Sequence, residues 1–315
     1  MTSATIALVS RLGGDEEKDW LVRLSARMPQ ERIRSFSSLS QTERQGVDIA
    51  IVANPDPKEV AALPNLRWIH SLWAGVERLM AELDTDAPPV VRLTDPELAR
   101  TMGEAVLAWT YYLQRDMPAY QRQQQQKYWH SQPYRPPHSV TVGLLGLGAL
   151  GSEAAHRLLQ GGFQVMGWSR SAKKIGDAVT LTGEQGLDTL LSCVDILVCL
   201  VPLTPETKGL INAARLQRMK PGAALINFAR GAVVDTASLI DALDRRHLSH
   251  AVLDVFTQEP LPPASPLWDH PDITILPHIS APTSADSAVE IIADNIRRYR
   301  LTGSIPHSVD RGRGY

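Results

Sequence analysis

The chain predicts an α/β protein of two lobes, each a parallel sheet covered by helices. Three observations carry this. Its 315 residues are about twice a typical domain. Strand-like and helix-like segments alternate along most of its length. A glycine-rich turn, Gly146-Leu-Gly148-Ala-Leu-Gly151, stands directly between a strand-like run and a helix-compatible one.

In the first hundred residues, Ile6-Ala-Leu-Val9, Asp48-Ile-Ala-Ile-Val52, Trp68-Ile-His-Ser-Leu72 and Val90-Val-Arg-Leu93 read as short buried strands. Asp19–Met28 and Pro57–Leu63 carry helical apolar spacing between them. The stretch from Leu98 to Gln126 is helix-compatible, but Pro118 should kink or divide it. Its Gln-rich end, Gln121 to Gln126, reads either as disorder or as a helix that contacts another lobe or subunit, since Gln is a good helix former. From Val140 the alternation restarts, with strand-like runs at Val140–Leu145, Phe163–Trp168, Val194–Leu200, Ala223–Phe228, Ala251–Phe256 and Ile273–Leu276. Six strands in a βα repeat are the number a doubly wound, Rossmann-type sheet needs. A last helix is expected from about Ser284 to Leu301, followed by a surface tail that returns to the first lobe.

Composition narrows the function classes. Hydrophobic residues make up 43% and charged residues 21%, ordinary values for a protein with a real core. A formal net charge of −2 argues against a nucleic-acid or anionic-membrane binder. The apolar opening Thr5-Ile-Ala-Leu-Val9 lacks the basic flank of a signal peptide, and no segment approaches a transmembrane span, so a cytoplasmic protein is expected. Cys193 and Cys199 bracket one apolar run; read as a single strand, it holds them too far apart for a disulfide, so both are expected reduced and in the core. No metal site is expected.

The turn Gly146-x-Gly148-x-x-Gly151 has the spacing that a dinucleotide requires: a tight bend, close approach of the pyrophosphate, and helix–strand packing. The following helix start offers free N–H groups to phosphate. At the end of the next strand, where an NAD enzyme places a carboxylate for the ribose hydroxyl, the chain reads Ser169-Arg170-Ser171-Ala-Lys173-Lys174. Arg170 with Ser169 and Ser171 can clamp a 2′-phosphate, which makes NADP(H) the preferred cofactor and NAD(H) a possible one; the alternative is a solvated basic loop.

Three loops after predicted strands carry charge in unusual settings: Asn227-Phe-Ala-Arg230-Gly231, Asp254-Val-Phe-Thr-Gln-Glu259, and Leu276-Pro-His278. Open α/β sheets bind ligands outside the carboxyl ends of their strands, so these loops are expected to converge. Arg230 can bind a carboxylate and polarise a keto oxygen, His278 can deliver a proton to that oxygen, and Glu259 can fix the imidazole. Taken singly, the three read as a surface ion pair, a satisfied loop histidine and a helix cap.

The segments Gly146-Leu-Gly-Ala-Leu-Gly151, Val201-Pro-Leu-Thr-Pro-Glu-Thr-Lys-Gly-Leu-Ile-Asn212, Phe228-Ala-Arg-Gly-Ala-Val-Val-Asp235, Leu253-Asp-Val-Phe-Thr-Gln-Glu-Pro-Leu-Pro262 and Leu276-Pro-His-Ile279 occur in one order. Together they resemble the D-2-hydroxyacid dehydrogenases. Pro263-Ala-Ser-Pro-Leu-Trp268 and the ending Val309-Asp-Arg-Gly-Arg-Gly-Tyr315 are similar to the bacterial glyoxylate/hydroxypyruvate reductase A group. The resemblance implies a smaller flavodoxin-like substrate or lid domain, residues 1–100 completed by 285–315, beside a nucleotide domain of residues 101–284. It implies Arg230, Glu259 and His278 as the catalytic set. It implies cofactor contacts from Gly146, Gly148, Ala149, Leu150, Gly151, Ser169, Arg170, Ser171, Lys174, Val201, Pro202, Thr207, Phe228, Ala229, Asp254 and Ser280, with Asp254 facing the nicotinamide carboxamide. In the first lobe, Ser71-Leu-Trp-Ala-Gly-Val76 resembles the loop whose amides hold the substrate carboxylate, which names Trp73, Ala74 and Gly75 beside Arg230 and His278. Where Trp73 stands, the family commonly has a smaller residue; here it either walls the pocket toward small substrates or simply packs.

The expected activity is NADPH-dependent reduction of small 2-keto acids such as glyoxylate and hydroxypyruvate, by a homodimer. The alternatives are a dehydrogenase of another D-2-hydroxy acid and a non-enzymatic NAD(H)-sensing regulator.

Overall fold

The structure is a computed structural model, and it describes residues 5–312. The chain begins β1 (Thr5–Ser10), α1 (Gly14–Arg27), β2 (Arg32–Ser35), α2 (Gln41–Arg44), β3 (Val47–Ala53), α3 (Pro57–Ala61), β4 (Trp68–Ser71), α4 (Glu77–Glu82) and β5 (Val90–Val91). It continues through α5 (Pro96–Gln114), α6 (Met117–Gln126), β6 (Thr141–Leu145), α7 (Ala149–Gln160), β7 (Gln164–Trp168), β8 (Val179–Leu181), α8 (Gly183–Cys193) and β9 (Ile196–Cys199). The remainder is α9 (Ala213–Arg218), β10 (Ala223–Asn227), α10 (Thr236–Asp244), β11 (Leu248–Leu253), β12 (Ile273–Ile275) and α11 (Ala285–Thr302). Two compact units result: residues up to Glu97 joined by those from Thr283 onward, and Leu98–Pro282 between them.

The first unit is a five-stranded parallel sheet in the order β2-β1-β3-β4-β5, the doubly wound order of flavodoxin-like folds. Strands β1 and β3 are mostly apolar and buried, because parallel sheets are covered on both faces. Helix α11 completes it. Ala288, Val289, Ile292, Ala293 and Ile296 form one stripe at helical spacing and pack with Ile6, Leu8, Ile49, Ile51 and Trp68. Arg300 near the end of that helix ties it down, reaching both oxygens of Glu31 and both of Asp48. As the sequence expected, the tail after this helix is largely exposed and returns to the first unit. There Val309 is buried and its N–H donates to the Val90 carbonyl at 2.7 Å, covering the edge of β5.

The second unit is a seven-stranded parallel sheet in the order β12-β11-β10-β9-β6-β7-β8. Counted within the unit this is the dinucleotide-fold order with one strand added beyond the sixth. Two strands escaped the sequence reading. β8 is a three-residue edge strand, Val-Thr-Leu. In β2, Arg-Ile-Arg-Ser, only Ile33 is buried. Short or charged edge strands carry little hydrophobic pattern, for the same reason that they resist pairing with other chains.

The long helix-compatible stretch is divided as expected, by Asp116 at φ 53° between α5 and α6. Pro118 then sits in the first turn of α6, where its missing N–H would have had no helical partner anyway. The cysteine reading needs correction. The run from Cys193 to Cys199 is not one strand: Cys193 ends α8, half-buried, and Cys199 ends β9, fully buried. Both are free thiols. No helix among the described residues is long and apolar enough to cross a membrane.

Two buried histidines make stability depend on pH. His70 donates from Nδ1 to the Ser71 carbonyl (2.9 Å) and accepts the Asn295 side-chain amide on Nε2 (3.0 Å); a neutral ring with the proton on Nδ1 satisfies both. Burial pushes its imidazole from 6.5 down to about 4, against a small opposing effect of the Ser71 carbonyl. His250 in the second unit is likewise pushed down to about 4, chiefly by burial. Each folded-state value lies below the unfolded one, so acid protonates the unfolded chain first. The contribution is complete above pH 6.5 and is lost as pH falls toward 4. Stability in urea should therefore fall by about 1.4 kcal/mol per pH unit for each histidine in that window. Replacing His70 by Asn should flatten the slope by one such increment, and an unchanged slope would refute the assignment.

Candidate active site

The site is built at the carboxyl ends of adjacent strands in the second unit. After β6 the chain turns sharply at Gly146, at φ 103°, where a side chain would lie 2.9 Å from the Leu200 carbonyl carbon and oxygen. Gly148 caps α7 with open space where a Cβ would point. Ala149 and Leu150 are the first helical residues, and Gly151 packs so closely that any Cβ would overlap the Gly146 carbonyl oxygen. This cradle fits a dinucleotide: two glycines are required by packing, and the third leaves room for phosphate at the start of a twelve-residue helix.

At the end of β7, Ser169 donates its hydroxyl to the Ser171 carbonyl at 2.7 Å and its N–H to Leu181 at 3.1 Å, which fixes the loop. Arg170, Ser171 and Lys174 are exposed on it. Across the sheet, after β9, Val201 is buried and Pro202 accepts the Thr207 hydroxyl at 2.6 Å. The neighbouring Glu206 carboxyl is held below its usual range, first by the Thr204 hydroxyl and last by the charge of Arg170. The sequence-derived cofactor residues on both sides of the cradle thus share one sheet edge.

Phe228 and Ala229 follow β10 and are buried. Asn227, 1% exposed, accepts the Ala229 N–H on its side-chain oxygen and donates its amide to the Arg230 carbonyl, both at 3.1 Å. This clamp fixes the backbone of Arg230, whose half-buried guanidinium bonds the Ala229 carbonyl at 2.7 Å. Asp254, just past β11 and buried, accepts the N–H groups of Ile279 (2.7 Å) and Ser280 (2.9 Å). It therefore holds the loop after β12, in which His278 adopts φ 55°, a left-handed conformation uncommon outside glycine. Glu259 accepts the Phe256 N–H on one oxygen (2.9 Å) and the His278 Nδ1 proton on the other (2.8 Å). His278 and Glu259 are both substantially solvent-accessible. The Ser280 hydroxyl is buried with no hydrogen-bond partner among the described residues.

The structure thus gathers Arg230, Asp254, Glu259, His278 and Ser280 at the ends of three neighbouring strands. Trp73, Ala74 and Gly75 belong to the first unit. There the Trp73 ring meets Trp20 edge-on at 6.2 Å and packs on the core, its indole N–H buried without a partner among the described residues. Its own amide donates to the Ser71 hydroxyl at 3.0 Å. Sequence reasoning missed the Asn227 clamp and the use of the Phe256 amide. An asparagine closing an otherwise apolar strand was the available signal for the first; nothing in the sequence marks the second. No group of metal-ligating side chains occurs among the described residues.

Residues 107–280 match the D-isomer specific 2-hydroxyacid dehydrogenase NAD binding domain. Among solved structures, the chain is similar to a D-isomer specific 2-hydroxyacid dehydrogenase from Xanthobacter autotrophicus in complex with NADPH and MES, at 37% identity over all of both chains with a TM-score of 0.92. It is 30% identical, over 99% of its own length and 100% of the other, to the NADPH-dependent glyoxylate/hydroxypyruvate reductase of Sinorhizobium meliloti, solved with NADP and sulfate, at a TM-score of 0.91. A family protein from Klebsiella pneumoniae is 31% identical over 99% of both chains, at a TM-score of 0.87. Likeness of this extent, over a whole chain whose strand ends carry the glycine cradle and the His–Glu pair, places the protein in the D-isomer specific 2-hydroxyacid dehydrogenase family, an oxidoreductase family.

Proposed function

We propose that the protein reduces small 2-keto acids, with glyoxylate and hydroxypyruvate as its substrates and NADPH as its preferred cofactor, NADH serving less well. The observation that carries this is the His278–Glu259 pair after β11 and β12, at the carboxyl ends of the same sheet that carries Arg230 after β10 and the glycine cradle after β6. The cofactor reading draws on Ser169, Arg170, Ser171 and Lys174, and on relatives solved with NADPH or NADP. The substrate reading draws on the Sinorhizobium meliloti reductase.

Gly146, Gly148, Ala149, Leu150 and Gly151 would hold the pyrophosphate, with Val201, Pro202, Thr207, Phe228 and Ala229 lining the same edge. Asp254 and the unpartnered Ser280 hydroxyl would stand nearest the nicotinamide. When bound, the cofactor supplies the hydride. Arg230 binds the keto acid's carboxylate and polarises its carbonyl, a task suited to its planar fork of donors. His278 gives the Nε2 proton to the keto oxygen, while Glu259 on Nδ1 keeps the ring oriented. In the first unit, the Ala74 and Gly75 amides offer donors to a carboxylate, and the Trp73 ring, braced by Trp20, favours short substrates. A cytoplasmic homodimer belongs to the same proposal, the exposed Tyr128, Trp129 and Tyr134 marking the surface it would cover.

The decisive assay is a panel of 2-keto acids with NADPH and with NADH. Arg170→Ala should raise KM for NADPH by roughly 10- to 150-fold, equivalent to about 1.5–3 kcal/mol, and barely change KM for NADH. Equal use of both cofactors by the unaltered protein would sink the phosphate-clamp assignment. His278→Ala should lower kcat by about 10²–10⁴-fold, and near-normal turnover would mean another group is the acid. Arg230→Ala should damage kcat/KM most, because carboxylate binding and carbonyl polarisation are lost together; a change confined to cofactor KM would contradict its role.

A further inference from the structure

We propose that Gly231 is a positioning residue: its bare backbone, packed against Phe256 and Thr257, seats the Glu259 carboxylate on His278. The inference rests on the catalytic reading above and adds a residue to it. A Cβ on Gly231 would overlap the Phe256 carbonyl carbon and the Thr257 nitrogen, and would lie 2.5 Å from Phe256 Cα. Every one of these atoms is main chain, so no side-chain rotation relieves the overlap. The two loops that carry Arg230 and Glu259 touch backbone to backbone, and only glycine permits it.

The contact continues directly into the catalytic pair. Phe256 donates its N–H to one Glu259 oxygen at 2.9 Å, and the other oxygen holds His278 Nδ1 at 2.8 Å. Moving the Phe256 backbone therefore moves the anchor of the carboxylate that orients the imidazole. Of the two loops, the one bearing Phe256 has to yield. Asn227 bonds both the Ala229 amide and the Arg230 carbonyl, and Val233 just beyond is fully buried. Both loops border a cavity of about 360 Å³, lined by Asn227, Gly231, Phe256, Thr257 and Leu261 among others, but the Asn227 bonds hold only the Arg230 side. That space accommodates a displaced loop without unfolding the sheet beneath it.

The test is a double-mutant cycle of Gly231→Ala with Glu259→Gln in the full-length protein, read as kcat, KM for glyoxylate and KM for NADPH. Gly231→Ala should lower kcat about 10²-fold, the size of loss that an ångström-scale misplacement brings, with KM for NADPH unchanged. Combined with Glu259→Gln, the losses should fail to multiply, the double variant being about as impaired as the worse single one. Multiplying losses, or wild-type kcat in folded Gly231→Ala, would overturn the role of Gly231 while leaving the catalytic set intact. Full activity in Glu259→Gln alone would instead overturn the catalytic reading. If Gly231→Ala does not fold, Phe256→Ala enters the same cycle, since losing that ring frees the same backbone toward the cavity. Non-multiplying losses there support the proposal, and multiplying losses overturn it.

Discussion

The candidate active site of the second unit depends on one buried carboxylate. Asp254 stands where β11 ends and accepts two consecutive amides, those of Ile279 and Ser280, from the loop after β12. A carboxyl group taking two N–H groups is a strong arrangement, and leaving it unpaired in the interior would be costly. Its effect is geometric. It fixes the two residues that follow the left-handed His278 and so sets where the imidazole can meet Glu259. The three-residue strand β12 offers little support of its own at that edge of the sheet.

The arginine, glutamate and histidine are held by different means. Arg230 is fixed through its backbone by the Asn227 amide, Glu259 by a single main-chain N–H, and His278 by Asp254 from below. The first two clamps lie within the loop of one strand, and the third reaches from the end of β11 to the loop after β12. The strands themselves form one parallel sheet from β12 to β8. A rigid sheet with short, pinned loops is the arrangement that holds catalytic groups to small tolerances.

Much of this was legible in the sequence, for physical reasons. Fully buried strands such as β3 and β9 read as apolar runs because parallel sheets hide both faces. The glycine turn was legible because Gly146 and Gly151 answer separate steric demands of the main chain and Gly148 leaves open space before the helix. What escaped was short or depended on the main chain. β2 and β8 bury too little to show a pattern, and the Cys193 run mixed a helix end with a strand. The Phe256 amide and the Gly231 contact were invisible because backbone atoms carry no residue-type signature. Arg230, Glu259 and His278 were readable as candidates, but only coordinates show that one carboxylate bridges an amide and an imidazole.

The discontinuity of the first unit bears on its biosynthesis. Residues up to Glu97 emerge from the ribosome first, yet Ile6, Leu8, Ile49 and Ile51 pack against a helix that begins at Ala285. The whole second unit, Leu98–Pro282, must be synthesised before that cover exists. At ordinary translation rates this is a delay of roughly ten to forty seconds, during which an apolar sheet face stands open. The order of assembly is thus dictated from the carboxyl terminus. The middle of the chain can condense first, while the leading segment waits, in need of protection from aggregation, for the last helix to arrive.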